Sequence, residues 1–250
     1  LKYFIEISYK GTAYHGWQIQ NNAHSVQQEI NDCLSKILGI PIMVQGSGRT
    51  DTGVHCLQQF AHFETPTKVS TKPFLKATNA ILPADISIQQ LYSVKEEAHA
   101  RFSALSRKYI YKITHKKSPF QTEYAYLYHK ELDVPNMQKA ADMLLDWQDY
   151  TAFSKTNSNN KHNLCAISEA YFEQKKDMLL FHIKANRFLR GMVRLIMGAL
   201  LHVGANKLSL RDFNTLLQAK KISGKRYAIP AHGLYLAAVE YPKDIFIRNS

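Results

Sequence analysis

Between Gly46 and Cys56 the chain reads GSGRTDTGVHC, the run richest in groups able to do chemistry. One carboxylate, Asp51, follows one guanidinium, Arg49, by two residues, with Gly46, Gly48 and Gly53 around them. Glycine and short polar side chains suit a tight turn, so the composition describes a bent loop holding a reactive acid beside a base. Two phosphate-binding readings fail on spacing. Gly48 and Gly53 stand as in a phosphate loop, but Val54 and His55 follow where Lys and Ser/Thr are required. The dinucleotide fingerprint fails because Asp51 falls where its third glycine belongs. On spacing alone, a loop aspartate near glycine is more often a turn residue bonding its own backbone than a catalytic group.

The elements that must position this loop follow from periodicity. Tyr3, Ile5, Ile7 and Tyr9 alternate with more polar neighbours, as in a half-buried strand. Ser25 and Gln28 form a capping box, opening a helix with Val26, Ile30, Cys33, Leu34, Ile37 and Leu38 on one face. Gly39 and Pro41 stop it. Strand-like runs Ile42–Gln45 and Leu57–Phe63 flank the loop, then a helix over Thr71–Leu82 and a strand over Ile86–Val94 complete the order βαββαβ. A second pass follows: a strand over Lys108–His115, a helix over Pro135–Asp146, and a hairpin of Leu164–Glu173 with Met178–Lys184. The longest apolar periodicity predicts a helix over Asn186–Val203, capped by Gly204, and a further helix from Ser209 leads to a strand over Leu234–Tyr241. This is an α+β pattern. It predicts two ferredoxin-like βαββαβ halves with mainly antiparallel sheets, divided as 1–103 and 104–250.

Charge points to the partner. The 250 residues carry 32 Lys and Arg against 20 Asp and Glu, a net +12, which favours nucleic acid or an acidic membrane surface. No acid occurs from Ala98 to Thr122, from Met178 to Arg211, or from Phe213 to Val239. Tyr and Phe interleave with the Lys and Arg of these stretches, so an RNA-facing surface outweighs a merely solvated one. Cys33, Cys56 and Cys165 are odd in number and widely spaced, which argues against a disulfide framework or a zinc site. The longest apolar stretch contains Arg194, and the start does not resemble a signal peptide, so a reduced cytoplasmic protein is expected. The chain opens on Leu1 rather than Met, so a few residues are expected to precede it.

The run GRTDTGVH closely resembles the GRTDAGVH signature of the tRNA pseudouridine synthase A family, and family-like segments extend from YKGTAYHGWQIQ at Tyr9 to GLYLAAVEY ending at Tyr241. Thr52 replaces the usual Ala, and Cys56 stands where a small residue is common. The resemblance implies two α/β halves flanking a basic cleft, a homodimer, no metal or organic cofactor, and uridines 38–40 of the tRNA anticodon stem-loop as target. It also implies that Asp51 is the catalytic aspartate. Carboxylates are competent at sugar carbons, as glycosidases show, which suits breaking a C1′–N1 bond.

Other site residues follow from the same resemblance. RKYIY is similar to the family's R-x-Y-x-Y, which places Tyr109 against the target base, while Tyr111 keeps the reading of core packing. Arg194 ends a run similar to KANAFxxxMVR, whose arginine pairs with the catalytic aspartate. Arg187 and Arg190 share its expected helix face at i, i+3 and i+7, as phosphate contacts or solvated charge. Arg49 is either a phosphate or base-extrusion contact or a loop-stabilising partner of Asp51. AHARF, with Ala98 for an aromatic, makes His99, Arg101 and Phe102 RNA contacts, with Arg107 and Lys108 beside them. The loop Thr156–Asn163 occupies the place of another RNA-binding segment but lacks its Arg and Trp. Two rival readings stay open at this point: a non-catalytic tRNA- or RNA-binding protein, and a base-excising glycosylase.

Overall fold

Lys2–Tyr9 forms β1, with Tyr3, Ile5, Ile7 and Tyr9 buried on one face as alternation predicts. Phe4 on the other face is fully buried too, because Tyr241 and Phe246 close over it with ring centroids at 5.3 and 6.2 Å. The computed structural model describes residues 1–154, 162–219, 221 and 227–247. They divide into two packing units, residues 1–105 with those from Leu236 onward, and Ser106–Tyr235. The division at 103/104 expected from pattern leaves the end of the chain in the second half. By packing, the residues from Leu236 belong with the first.

The first unit holds β1, α1 (Val26–Leu38), β2 (Gln45–Gly46), β3 (His55–Glu64), α2 (Thr71–Ile81) and β4 (Ile86–Ser93). Its strands run β4–β1–β3, with β2 and β9 (Leu234–Glu240) also pairing β3. β1 is antiparallel to both neighbours, Ile5 standing opposite Ala61 and Leu91. Ser25 caps α1 by accepting from Gln28 N, and Gly39 ends it in the left-handed region at φ 68°. Only Gln45 of the expected Ile42–Gln45 strand joins the sheet, with Gly46 following it. The preceding backbone is held by α1 instead: Ser35 Oγ accepts from Ile42 N at 2.8 Å, and Asn31 Oδ1 from Val44 N at 2.9 Å.

The second unit holds β5 (Ser106–Thr114), β6 (Tyr126–Leu127), α3 (Val134–Asp142), β7 (Ile167–Lys175), β8 (Met178–Ala185), α4 (Met192–Gly204) and α5 (Leu210–Gln218). β5, β8 and β7 pair antiparallel in that order, and β6 lies parallel to β5. α3 packs on α4 and β7. α4 starts six residues later than Asn186. Gly191 at φ 73° breaks the spiral, and Asn186 is tied to Ala166 through its N–H and its side chain. Arg187 and Arg190 therefore precede the helix and do not share a helical face with Arg194. All five α-helices found among the described residues are too short or too polar to cross a membrane.

Candidate active site

Asp51 sits half-buried in the loop joining β2 to β3. The loop is locked from the end of β1 and the segment after it. Tyr9 Oη bonds Thr50 Oγ1 at 2.8 Å, Trp17 N donates to Thr50 O at 3.2 Å, and Gly53 N donates to Tyr14 O at 3.4 Å. Asp51 O accepts from Val54 N at 3.1 Å, closing the turn, and Gly53 adopts φ 76° to make it. His55 Nδ1 accepts from Gly11 N at 3.1 Å, which fixes that nitrogen as unprotonated.

Close approach explains the glycines on both sides. A Cβ on Gly11 would lie 2.0 Å from Val54 O, and one on Gly16 would lie 2.5 Å from Thr50 O and 3.2 Å from the Asp51 carbonyl carbon. A Cβ on Gly46 would meet the Trp17 indole at 2.6 Å. Gly48 differs: its φ is not positive and a Cβ there meets nothing. Only Gly46 and Gly53 of the three loop glycines are needed by the fold. Gly11, Gly16 and Trp17 were not singled out from sequence as site residues, although the YKGTAYHGWQIQ segment contains them. Their signal is two glycines followed by a tryptophan just ahead of a helix cap.

In the second unit Tyr109 is half-buried on β5, opposite Ile183, with the Phe188 ring edge-on at 5.2 Å. Tyr111, two residues on, is fully buried and donates to Pro230 O at 2.8 Å. Burial pushes its hydroxyl far above the usual tyrosine range, with Tyr126 adding to the effect. Arg194, the third residue of α4, donates from Nε to Ile229 O at 2.7 Å. Gly198 makes that contact possible, since a Cβ there would lie 1.7 Å from Tyr227 O. A Cβ on Gly233 would likewise strike the Tyr111 ring at 2.7 Å. The segment Tyr227–Gly233 thus lies directly on α4 and β5, and it sets the direction of the Arg194 guanidinium.

The cations expected to meet RNA fall into different settings. Arg49 and Arg101 are exposed in the first unit, and Arg190 is exposed in the second. Arg107 donates to Asn186 O at 2.9 Å, and Arg187 Nη1 approaches His162 Nδ1 at 3.2 Å. Lys108 is held by Glu169 at 2.9 Å, and that hydrogen bond raises its pKa. Lys184 approaches the same carboxylate at 3.6 Å, and Lys116 pairs with Asp177 at 2.9 Å. A stretch without acids in sequence is therefore not a surface without acids, because the β7–β8 hairpin supplies them. Residues Thr156–Lys161 of the loop standing in the place of a family RNA-binding segment lie outside the described residues, as do Lys220, Lys225 and Arg226. Cys33, Cys56 and Cys165 are free, buried thiols, and among the described residues no three His, Cys, Asp or Glu side chains form a group able to hold a metal ion.

Matches to known proteins run through both the GRTD loop and the MVR helix. A family model for tRNA pseudouridine synthase matches residues 6–103 and 140–242. The chain belongs to the tRNA pseudouridine synthase family. Its relatives align from end to end. It is 43% identical over 245 residues to the tRNA pseudouridine synthase A of Azobacteroides pseudotrichonymphae, covering 98% of each chain. It is 42% identical over 250 residues to that of Porphyromonas gingivalis, covering 98% of this chain and 99% of the relative. The Thermoanaerobacter pseudethanolicus protein of the same name is 36% identical over 239 residues. Membership in the pseudouridine synthase family places both Asp51 and Arg194 inside matched segments, one in each.

Proposed function

We propose that this chain isomerises uridine to pseudouridine in tRNA, at positions 38–40 of the anticodon stem-loop. The observation that carries the reading is the GRTDTGVH loop in a chain matching the family over nearly its whole length, with the backbone around Asp51 fixed by Tyr9, Tyr14, Gly16 and Trp17. The reaction breaks C1′–N1, joins C1′ to C5, and moves one proton's worth of hydrogen from C5 to N1. Product and substrate are isomers, so no redox partner or energy source enters the balance.

Asp51 supplies the carboxylate that acts on the target nucleotide. A carboxylate on a preformed backbone meets its substrate without first paying ordering entropy. Tyr109 stacks on the reacting base and offsets stacking lost on extrusion, worth about 1–3 kcal/mol. Arg194 pairs with Asp51 and aims its carboxylate. Arg49, His99, Arg101, Phe102, Arg107, Lys108, Arg187 and Arg190 contact the RNA. The strand order β4–β1–β3 with β2 on β3, and the order β5–β8–β7, support two ferredoxin-like halves. The reading requires those halves to bring Asp51 and Arg194 to one basic cleft. It describes a cytoplasmic, homodimeric enzyme.

The test is Asp51→Asn. The variant should bind tRNA as the unaltered chain does and release no tritium from C5-labelled uridine in tRNA. Appreciable residual turnover would reject Asp51 as the catalytic group. Chromatography of nucleosides from digested tRNA separates the rivals: free uracil with an abasic site marks a glycosylase, and unchanged uridine a binding protein.

A further inference from the structure

Phe102 is 75% exposed, yet its ring is not loose on the surface. It stands 4.4 Å from the His99 ring, and His99 meets the buried His62 ring edge-on at 4.5 Å. The Arg101 guanidinium lies 5.5 Å from the Phe102 centroid. A buried histidine, a second histidine, a phenylalanine and an arginine thus form one series of contacts running from core to solvent. Lone exposed apolar residues are ordinary on protein surfaces. A ring seated on a fixed base and partnered by a cation is a different object.

Hydrogen bonds hold every step of it. His99 Nδ1 accepts from Arg101 N at 3.1 Å and Phe102 N at 3.4 Å, and His62 Nδ1 accepts from Ala100 N at 3.2 Å. His99 N donates to Ser103 Oγ at 3.0 Å, and Ser103 N donates back to His99 O at 2.9 Å. His99 Nε2 bonds Gln45 Oε1 at 3.2 Å, which ties the turn to β2, the strand that enters the Asp51 loop. Both acceptor nitrogens require neutral rings. Burial lowers both pKa values, and Lys2 and Arg101 push that of His99 further down.

We propose that the Phe102 face, with Arg101 beside it, is a stacking platform for one unpaired nucleobase of the RNA, the guanidinium meeting the adjoining phosphate. The proposal rests on the RNA-binding reading above and adds the chemistry of this contact. Every nucleobase has a π-face, so the platform selects an unstacked base rather than a sequence. Charge complementarity favours an anion here over an apolar protein partner: Arg101 flanks the ring, and Lys2 lies close enough to influence His99.

Phe102→Leu should weaken tRNA binding about 5- to 100-fold by filter binding at fixed salt, the range a lost base stack gives. The slope of log Kd against log salt should stay as it was, whereas Arg101→Met should reduce it by about one phosphate's worth. Phe102→Trp should keep affinity, and the new indole should be quenched when tRNA is added. Unaltered affinity in Phe102→Leu, or an indole indifferent to tRNA in Phe102→Trp, would overturn the platform. So would a fall in sedimenting mass in Phe102→Leu, which would mark the patch as a contact between copies of the chain. Weakened binding in Phe102→Leu with no pseudouridine formed by the unaltered chain would leave the platform standing and remove the isomerase reading.

Discussion

Gly16→Ala is the substitution that most directly separates a braced catalytic loop from a decorative one. Gly16 adopts φ 91°, and an alanine Cβ would lie 2.5 Å from Thr50 O and 3.2 Å from the carbonyl carbon of Asp51. The left-handed backbone costs about 1–2 kcal/mol for an L side chain. Relieving the overlap costs roughly 1–3 kcal/mol more, the usual range for overpacking. A loss of about 2–5 kcal/mol is large against a typical stability of about 5–15 kcal/mol, but it leaves most molecules folded. The chain relieves the contact by moving Thr50 and Asp51, because Trp17 and α1 hold Gly16 from the other side through Gln27 N to Trp17 O and Val26 N to Gly16 O. A carboxylate misplaced by about 1 Å costs on the order of 100-fold in rate.

The assay is single-turnover pseudouridine formation at saturating tRNA, read beside a urea unfolding curve. Gly39→Ala is the matched control. Its φ of 68° carries the same kind of strain at the end of α1, but a Cβ there meets nothing. The control should lose about 1–2 kcal/mol and keep its rate, while Gly16→Ala loses both. A folded Gly16→Ala protein turning over within two-fold of the unaltered chain would refute the account of how Asp51 is held.

Two further outcomes follow from charge. Burial lowers the His62 pKa to about 4, so between pH about 4 and the ordinary histidine value the unfolded chain binds more protons than the folded one. Stability should therefore fall as pH drops through that window, by at most roughly 3 kcal/mol from this residue. His62→Gln, which can still accept from Ala100 N, should flatten that part of a stability–pH curve measured by urea unfolding, and an unchanged slope would assign the acid sensitivity elsewhere. If Arg194 holds Asp51 as proposed, Arg194→Met should cut single-turnover pseudouridine formation sharply at saturating tRNA while the urea unfolding curve shows the protein still folded. A folded Arg194→Met protein with an unchanged rate would dissociate Arg194 from Asp51.

What the sequence determined is local. Ser25 and Gly39 bracket α1 because a cap and a left-handed stop are made by residues adjacent to the helix they bound. Thr71–Ile81, Ile86–Ser93 and the hairpin of β7 and β8 were legible for the same reason. Tertiary structure decided whatever depends on residues distant in the chain. Ile42–Val44 reads as strand but is claimed by α1 side chains, and Gly191 holds back the start of a helix whose apolar periodicity begins before it. Lys108 and Lys116 sit in an acid-free stretch yet pair with Glu169 on β7 and with Asp177 in the turn that follows it. Gly16 looks like any loop glycine until Thr50 is folded against it. Periodicity and caps are set by neighbours within a turn or two, whereas close approach and charge pairing exist only once segments tens of residues apart lie side by side.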